Sequence, residues 1–176
     1  MILARLTQAV CLVCLALMLP PRARADDCSV ATDAAIAQVK VPHAVTHVMT
    51  MPGHPEQRVE VIFVNEKTYT HMDGAWNVMP FSTKVMQDTI ETSRKRAEQS
   101  PHTCQKVAGE PLDGEATTLL LVHSDANGHP SDAKIWISTS SGLPLKSEIR
   151  LADGAVVTDT FRYDNITAPP GVNCSA

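Results

Sequence analysis

A short segment of the sequence is dense in residues that bind soft metal ions. Residues 43–54, HAVTHVMTMPGH, contain three histidines and two methionines. On a β-strand every second side chain lies on the same face, so His43, His47, Met49 and Met51 would share one face. Imidazole and thioether groups together suit copper. A copper-handling strand is therefore one hypothesis for this segment.

Two other interpretations of the segment stay open. Neighbours on one strand face lie about 6.6 Å apart, twice the rise per residue, whereas metal ligands lie about 2 Å from the ion. The side chains would have to converge, or a second strand would have to contribute. Ordinary packing and a ligand-facing strand are also consistent with the pattern, because methionine adapts to both settings.

Recognisable catalytic motifs are absent from the sequence. It contains no G-x-S-x-G, H-E-x-x-H, P-loop or G-x-G-x-x-G pattern. His102 lies two residues from Cys104, which suggests a thiol and its base, but a disulfide is the better explanation in an exported protein. We therefore expect a protein that is not an enzyme and needs no cofactor. An unrecognised hydrolase is the alternative.

The first 25 residues have the features of a secretory signal peptide. Arg5 precedes an uninterrupted apolar run of 11 residues at positions 9–19, and Ala23-Arg24-Ala25 matches a signal peptidase site. The run is too short for a membrane anchor. We expect cleavage after Ala25 and a soluble periplasmic or secreted protein that does not span the membrane.

The predicted mature chain is acidic. Removing the signal peptide leaves 12 of the 15 Lys and Arg residues against all 19 Asp and Glu residues, a net charge of −7. Such a balance disfavours nucleic acid and anionic membrane surfaces as main partners. The oligomeric state is not predicted.

Three cysteines remain after the predicted cleavage, at positions 28, 104 and 174. Export to an oxidising compartment favours one disulfide with one cysteine left over. We favour the pair Cys28–Cys104, which would tie the N-terminal segment to the middle of the domain. Cys104–Cys174 is the alternative.

The pattern along residues 26–176 predicts a single α+β domain. A helix is expected within residues 29–41 and a second, polar helix within 82–100, while nine short alternating segments predict strands joined by turns such as Asp73-Gly74 and Asp153-Gly154. Short turns between successive strands indicate antiparallel pairing. We expect a curved meander sheet, an incomplete β-barrel wrapped over the helices, with an irregular Pro-rich tail from about residue 167.

Two segments of the sequence resemble segments of a known protein family. One is KIWISTSSGLPLKSEIRLADGAVVTDTFRYDNI, with Trp136, a Ser-Gly-Leu-Pro turn at 141–144, and Tyr163 followed by Asn165-Ile166; the other is the hairpin KTYTHMDGAWNVMP. Both resemble the periplasmic outer-membrane lipoprotein carrier-like proteins of the lipoprotein-sorting superfamily. The resemblance implies a half-barrel whose concave face holds acyl chains or other apolar groups. It transfers no individual binding residue to this chain.

An apolar concave face is the ligand site that this architecture would offer. The predicted lining consists of Phe63, Trp76, Leu119, Leu121, Ile135, Ile137 and Phe161. The alternative is that the same side chains simply form a closed core. We expect a binding or carrier module for an apolar small molecule, an acyl chain or a lipidated partner. The alternatives are a copper-handling protein and a structural or interaction protein of the envelope.

Overall fold

The computed structural model describes residues 27–79, 82–97, 102–126 and 128–172. The predicted signal peptide and Cys174 lie outside these residues. The described elements are α1 (Asp27–Gln38), β1 (His43–Thr50), β2 (Gln57–Val64), β3 (Lys67–Met72), β4 (Ala75–Met79), α2 (Thr83–Ala97), β5 (His102–Ala108), β6 (Thr117–Ala126), β7 (His129–Ser138), β8 (Pro144–Leu151) and β9 (Val156–Arg162).

All nine strands form one antiparallel sheet in the order β4-β3-β2-β1-β9-β8-β7-β6-β5. Strands β1–β4 form one meander and β5–β9 another, and the pairing of β1 with β9 joins them. Strands β4 and β5 stand at opposite ends of this sheet, so the barrel is not closed. The predicted α+β class and the incomplete meander barrel are confirmed.

Tight turns join the strands of the first meander. Asp73 and Gly74 both have positive φ, 52° and 78°, as the predicted Asp-Gly hairpin between β3 and β4 requires. The β2–β3 turn places Asn65 and Glu66 at φ 54° and 58°, a conformation that glutamate rarely adopts. The Glu66 carboxylate is thereby presented to α2, where it accepts hydrogen bonds from the backbone N–H (3.0 Å) and hydroxyl (2.8 Å) of Thr83.

Helix α1 packs on one side of the sheet, which we call the helix side, and is covalently linked to it. A disulfide joins Cys28 on α1 to Cys104 on β5, and the Asp27 carboxylate accepts a hydrogen bond from the Lys106 backbone N–H at 3.1 Å. Helix α1 packs against β5, β6, β8 and α2. The favoured cysteine pairing is confirmed, and the Cys104–Cys174 alternative is wrong because Cys104 is already bonded.

The other side of the sheet, which we call the tail side, is covered by the irregular segment after β9. A buried cluster of Ala44, Ile62, Val64 and Tyr69 packs there against Trp76, Val78, Ile166 and Val172. On the helix side, the Tyr163 ring lies 6.1 Å from that of His43; its hydroxyl donates to the Pro144 carbonyl at 2.6 Å, and burial raises the pKa of this phenol. Within the described residues, neither helix is long and apolar enough to cross a membrane.

Candidate ligand groove on the helix side

Cross-strand pairing aligns a row of side chains across the middle of the helix side. His47 on β1 is opposite Val59 on β2 and Asp159 on β9. Asp159 is in turn opposite Ser147 on β8, and Ser147 is opposite Ile135 on β7. Directly opposed residues of an antiparallel sheet share a face, so the row places three polar groups side by side between apolar neighbours.

The three polar side chains form one hydrogen-bonded cluster, which we call the polar trio. His47 donates from Nδ1 to Oδ1 of Asp159 at 2.7 Å, since an ionised carboxylate only accepts. Ser147 donates from Oγ to Oδ2 of the same carboxylate at 3.1 Å. The side chains of His47 and Asp159 are 35% and 21% exposed. The bond at Nδ1 fixes the imidazole tautomer and leaves Nε2 on the accessible edge of the ring.

Partly buried apolar side chains surround the polar trio on the helix side. They are Val45, Met49, Val61, Ile149, Val157 and Phe161. None of the six is fully buried, although they lie on the central strands β1, β2, β8 and β9, where core residues are normally covered. Among the described elements, α1 packs mainly over β5, β6 and β8, so the apolar surface near β1 and β9 is only partly covered; we call it the helix-side groove.

A cavity of about 210 Å³ lies at one end of this groove. Its lining combines the apolar Val41, Phe63 and Met86 with the charged Lys40, Glu66 and Lys67. The His43 ring stacks on Phe63 with centroids 4.4 Å apart, and His43 Nδ1 lies 2.8 Å from the Val41 carbonyl oxygen. Burial lowers the pKa of His43, and the hydrogen bond to Val41 opposes that shift.

The structure divides the seven predicted lining residues between the two sides of the sheet. Register places Phe63, Ile135, Ile137 and Phe161 on the helix side. It places Trp76, Leu119 and Leu121 on the tail side, where Trp76 lines a second cavity of about 190 Å³ beneath the tail. The seven therefore form no single surface, because a shift of one residue in register exchanges the faces of a whole strand. A ligand contact stays a prediction for each of the seven residues.

The predicted copper ligands are brought together only in part. His43, His47 and Met49 share the helix side, while Met51 follows the end of β1. Both histidines already use Nδ1, for the Val41 carbonyl and the Asp159 carboxylate. The described residues contain no group of three or more His, Cys, Asp or Glu side chains placed to hold a metal ion. Copper binding stays a prediction.

Sequence reasoning found His47 but missed its two partners. A signal for both was present, because Asp159 alternates with Val157 and Phe161, and Ser147 alternates with Leu145 and Ile149. A polar residue inside an apolar strand face marks a buried or functional polar contact. Only the strand order, however, puts β9 between β1 and β8 and so brings the trio together.

The chemistry of the polar trio differs from that of a nucleophilic triad. Ser147 donates to Asp159 rather than to His47, whereas a triad needs the serine on the free nitrogen of the histidine. The sulfur of Cys104 is bonded to Cys28, which removes the thiol nucleophile suggested by His102. The trio can instead present one oriented hydrogen-bonding nitrogen within an apolar surface.

Comparisons with known proteins identify the fold. LprF from Mycobacterium bovis superposes with a TM-score of 0.50 at 13% identity, covering 86% of this chain and 99% of LprF. A chain of the MucA/MucB complex of Pseudomonas aeruginosa gives a TM-score of 0.54 at 15% identity, covering 82% of this chain and 59% of that chain. This is the lipoprotein carrier-like fold.

This fold confirms, at the level of architecture, the family resemblance that the sequence showed. A LolA-superfamily protein from Nitrosomonas europaea also matches, with a TM-score of 0.32 at 10% identity, over 77% of this chain and 91% of its own. No protein-family model and no curated protein matches the chain.

Proposed function

We propose that this chain is an exported binding module that holds the apolar chain of a small amphiphile in the helix-side groove. The observation that carries the proposal is the set of partly exposed apolar side chains on central strands, around Val45, Val157 and Phe161. Burying apolar surface stabilises a protein or a complex by about 25 cal/mol per Å², and the exposed part of this surface does not contribute that free energy. A ligand that covers it recovers that free energy.

The fold supports a binding role. A lipoprotein carrier-like sheet that is not closed has one face available to a ligand, and apolar concavities are the usual form of small-molecule sites. A chain of the MucA/MucB complex shares the fold, which supports binding as the general role. The signal peptide predicted for residues 1–25 supports a location in the periplasm or envelope, and we propose that the module performs no covalent chemistry.

Calorimetry on purified, delipidated protein tests the proposal. Methyl myristate, an apolar chain without a charged head, is expected to bind saturably with one molecule per chain. Val157→Trp would fill the groove on β9 and lower the affinity at least about tenfold, the equivalent of about 1.4 kcal/mol. Thr158→Trp, on the tail side of the same strand, is the matched control and leaves binding unchanged. Absence of saturable binding by the wild type ends the proposal.

A further inference from the structure

We infer that the groove selects a neutral, single-chain amphiphile whose head-group hydroxyl donates a hydrogen bond to Nε2 of His47. The inference rests on the proposed function and names its ligand class. It follows from two observations, the tautomer that Asp159 imposes on His47 and the distribution of charge on the surrounding strands.

The hydrogen bond between His47 and Asp159 decides what Nε2 can offer. With Nδ1 donating to the Asp159 carboxylate at 2.7 Å, the neutral ring carries its lone pair on Nε2 and accepts a hydrogen bond there. Within the described part of the chain, Nε2 of His47 has no hydrogen-bond partner and is not fully buried. A hydroxyl is the common head-group function that donates to such an acceptor.

The strands around the polar trio provide no cation for an anionic head group. Strands β1, β2, β8 and β9 contain four Lys or Arg residues, and register places all of them on the tail side: Arg58, Lys146, Arg150 and Arg162. Apart from the imidazoles, Asp159 is the only ionisable side chain that these four strands place on the helix side. The charge that these four strands contribute around the polar trio is therefore zero or negative, whereas Lys40, Glu66 and Lys67 line the cavity at the end of the groove.

An ionised fatty acid would meet repulsion at this position. Its carboxylate on Nε2 would lie roughly 7 Å from that of Asp159, allowing one hydrogen-bond length on each side of the ring. That separation is inside the Debye length at physiological salt. A cationic head group would be attracted to Asp159, but removing an ammonium group from water costs more free energy than removing a hydroxyl, so we expect it to gain no advantage over the hydroxyl.

Four ligands with the same apolar chain separate these head groups. Calorimetry with 1-monomyristoylglycerol, methyl myristate, myristic acid and tetradecylamine is done below the solubility limit or critical micelle concentration of each, at slightly alkaline pH, where the acid is ionised. We expect 1-monomyristoylglycerol to bind more tightly than methyl myristate by a factor of roughly 3 to 10, the value of one net hydrogen bond. Myristic acid and tetradecylamine are expected to bind no better than methyl myristate.

Variants assign the preference to His47. His47→Phe is expected to abolish the preference for the glycerol ester while methyl myristate still binds, which also shows that the variant is folded. His47→Leu serves the same purpose if the aromatic ring disturbs folding. The matched control is His71→Phe on the tail side, where His71 stacks on Trp76, and it keeps the preference.

The outcomes separate this inference from the proposed function. Equal affinity for the glycerol ester and the methyl ester overturns the inference alone, as does tighter binding of the acid or the amine. A preference that survives in His47→Phe also overturns it. Failure of all four ligands to bind overturns both the inference and the proposed function.

Discussion

At the scale of single residues, Asp159 is an acidic side chain on an apolar strand face. Its partial burial is tolerated because both carboxylate oxygens accept hydrogen bonds. His47 and Ser147 each donate to one oxygen, which offsets the cost of removing a carboxylate from water. His47 lies 112 residues away along the chain. Sequence patterns could therefore mark each residue as unusual but could not pair them.

The charge of Asp159 should determine which head groups the groove tolerates. Asp159→Asn keeps the size of the side chain and removes its charge. We expect the affinity for ionised myristic acid to rise roughly threefold, the factor for two unit charges about 7 Å apart in water-like surroundings. Calorimetry measures the change, with methyl myristate as the neutral reference.

Asp132→Asn is the matched control for this charge. Asp132 also accepts a hydrogen bond from a histidine, His123, at 2.8 Å, but on the tail side. It should leave the affinity for myristic acid unaltered. A rise of similar size in both variants would show that the net charge of the protein, and not Asp159, governs the effect.

His43 should make the folded state sensitive to acid. It is 2% exposed, and burial lowers its pKa below the ordinary value of 6.5. Below pH 6.5 the unfolded chain therefore takes up more protons than the folded one. This contribution to stability is fully present above that pH and is lost as the pH falls through the lowered pKa.

Urea unfolding above and below pH 6.5 checks this prediction. His43→Phe keeps a ring against Phe63 and removes the titrating group, so the variant should lose less free energy of unfolding on acidification than the wild type. His54→Phe, at an exposed position in the β1–β2 turn, is the control and should lose as much free energy of unfolding on acidification as the wild type. An identical pH dependence in all three proteins would exclude His43 as the cause.

At the scale of elements, the sequence predicted local structure well and long-range order less well. The alternating pattern of LKSEIRLA and the Asp73-Gly74 turn depend on neighbouring residues, and the structure has β8 and the β3–β4 hairpin there. The insertion of β9 beside β1 depends on pairing between Ala44 and Arg162, which local patterns do not encode. The division of the predicted lining residues between two faces has the same origin.

The disulfide should contribute much of the stability with which α1 is held to the sheet. It closes a loop with a sequence separation of 76 residues, for which the chain-entropy account gives about 4 kcal/mol. The double variant Cys28→Ala/Cys104→Ala should lose a free energy of unfolding of that order in urea. Alanine avoids leaving a hydroxyl at Cys104, which is 4% exposed.

Two controls accompany the disulfide variant. A reductant should destabilise the wild type by a similar amount and leave the double variant unaffected. Cys174→Ser should retain wild-type stability, because Cys28 and Cys104 are bonded to each other. Equal stability of the double variant and the wild type would contradict the prediction.

At the scale of the whole molecule, the candidate site lies where the two meanders meet. The β1–β9 pairing runs from Ala44–Arg162 to Thr50–Val156, and the His47–Asp159 pair lies within it. The β1–β9 ladder is the strand pairing that joins the two meanders in the sheet. Neither meander can present the polar trio alone, so assembly of the site requires the whole sheet.

The two meanders should therefore unfold together. The sequence contains two tryptophans, Trp76 on β4 of the first meander and Trp136 on β7 of the second. Trp136→Phe leaves Trp76 as the reporter, and Trp76→Phe leaves Trp136. Because each meander exposes an unpaired edge strand without the other, we expect one cooperative transition in urea, with both reporters following it.

Fluorescence and far-UV circular dichroism recorded on the same samples compare the reporters. Within each single-tryptophan variant, the midpoint and slope from fluorescence should coincide with those from circular dichroism, as a two-state transition requires. This internal comparison removes any difference in stability between the two variants. A transition of Trp76 that precedes the loss of strand signal would mean that the first meander separates while β5–β9 remain folded, and the groove would then open by parting β1 from β9.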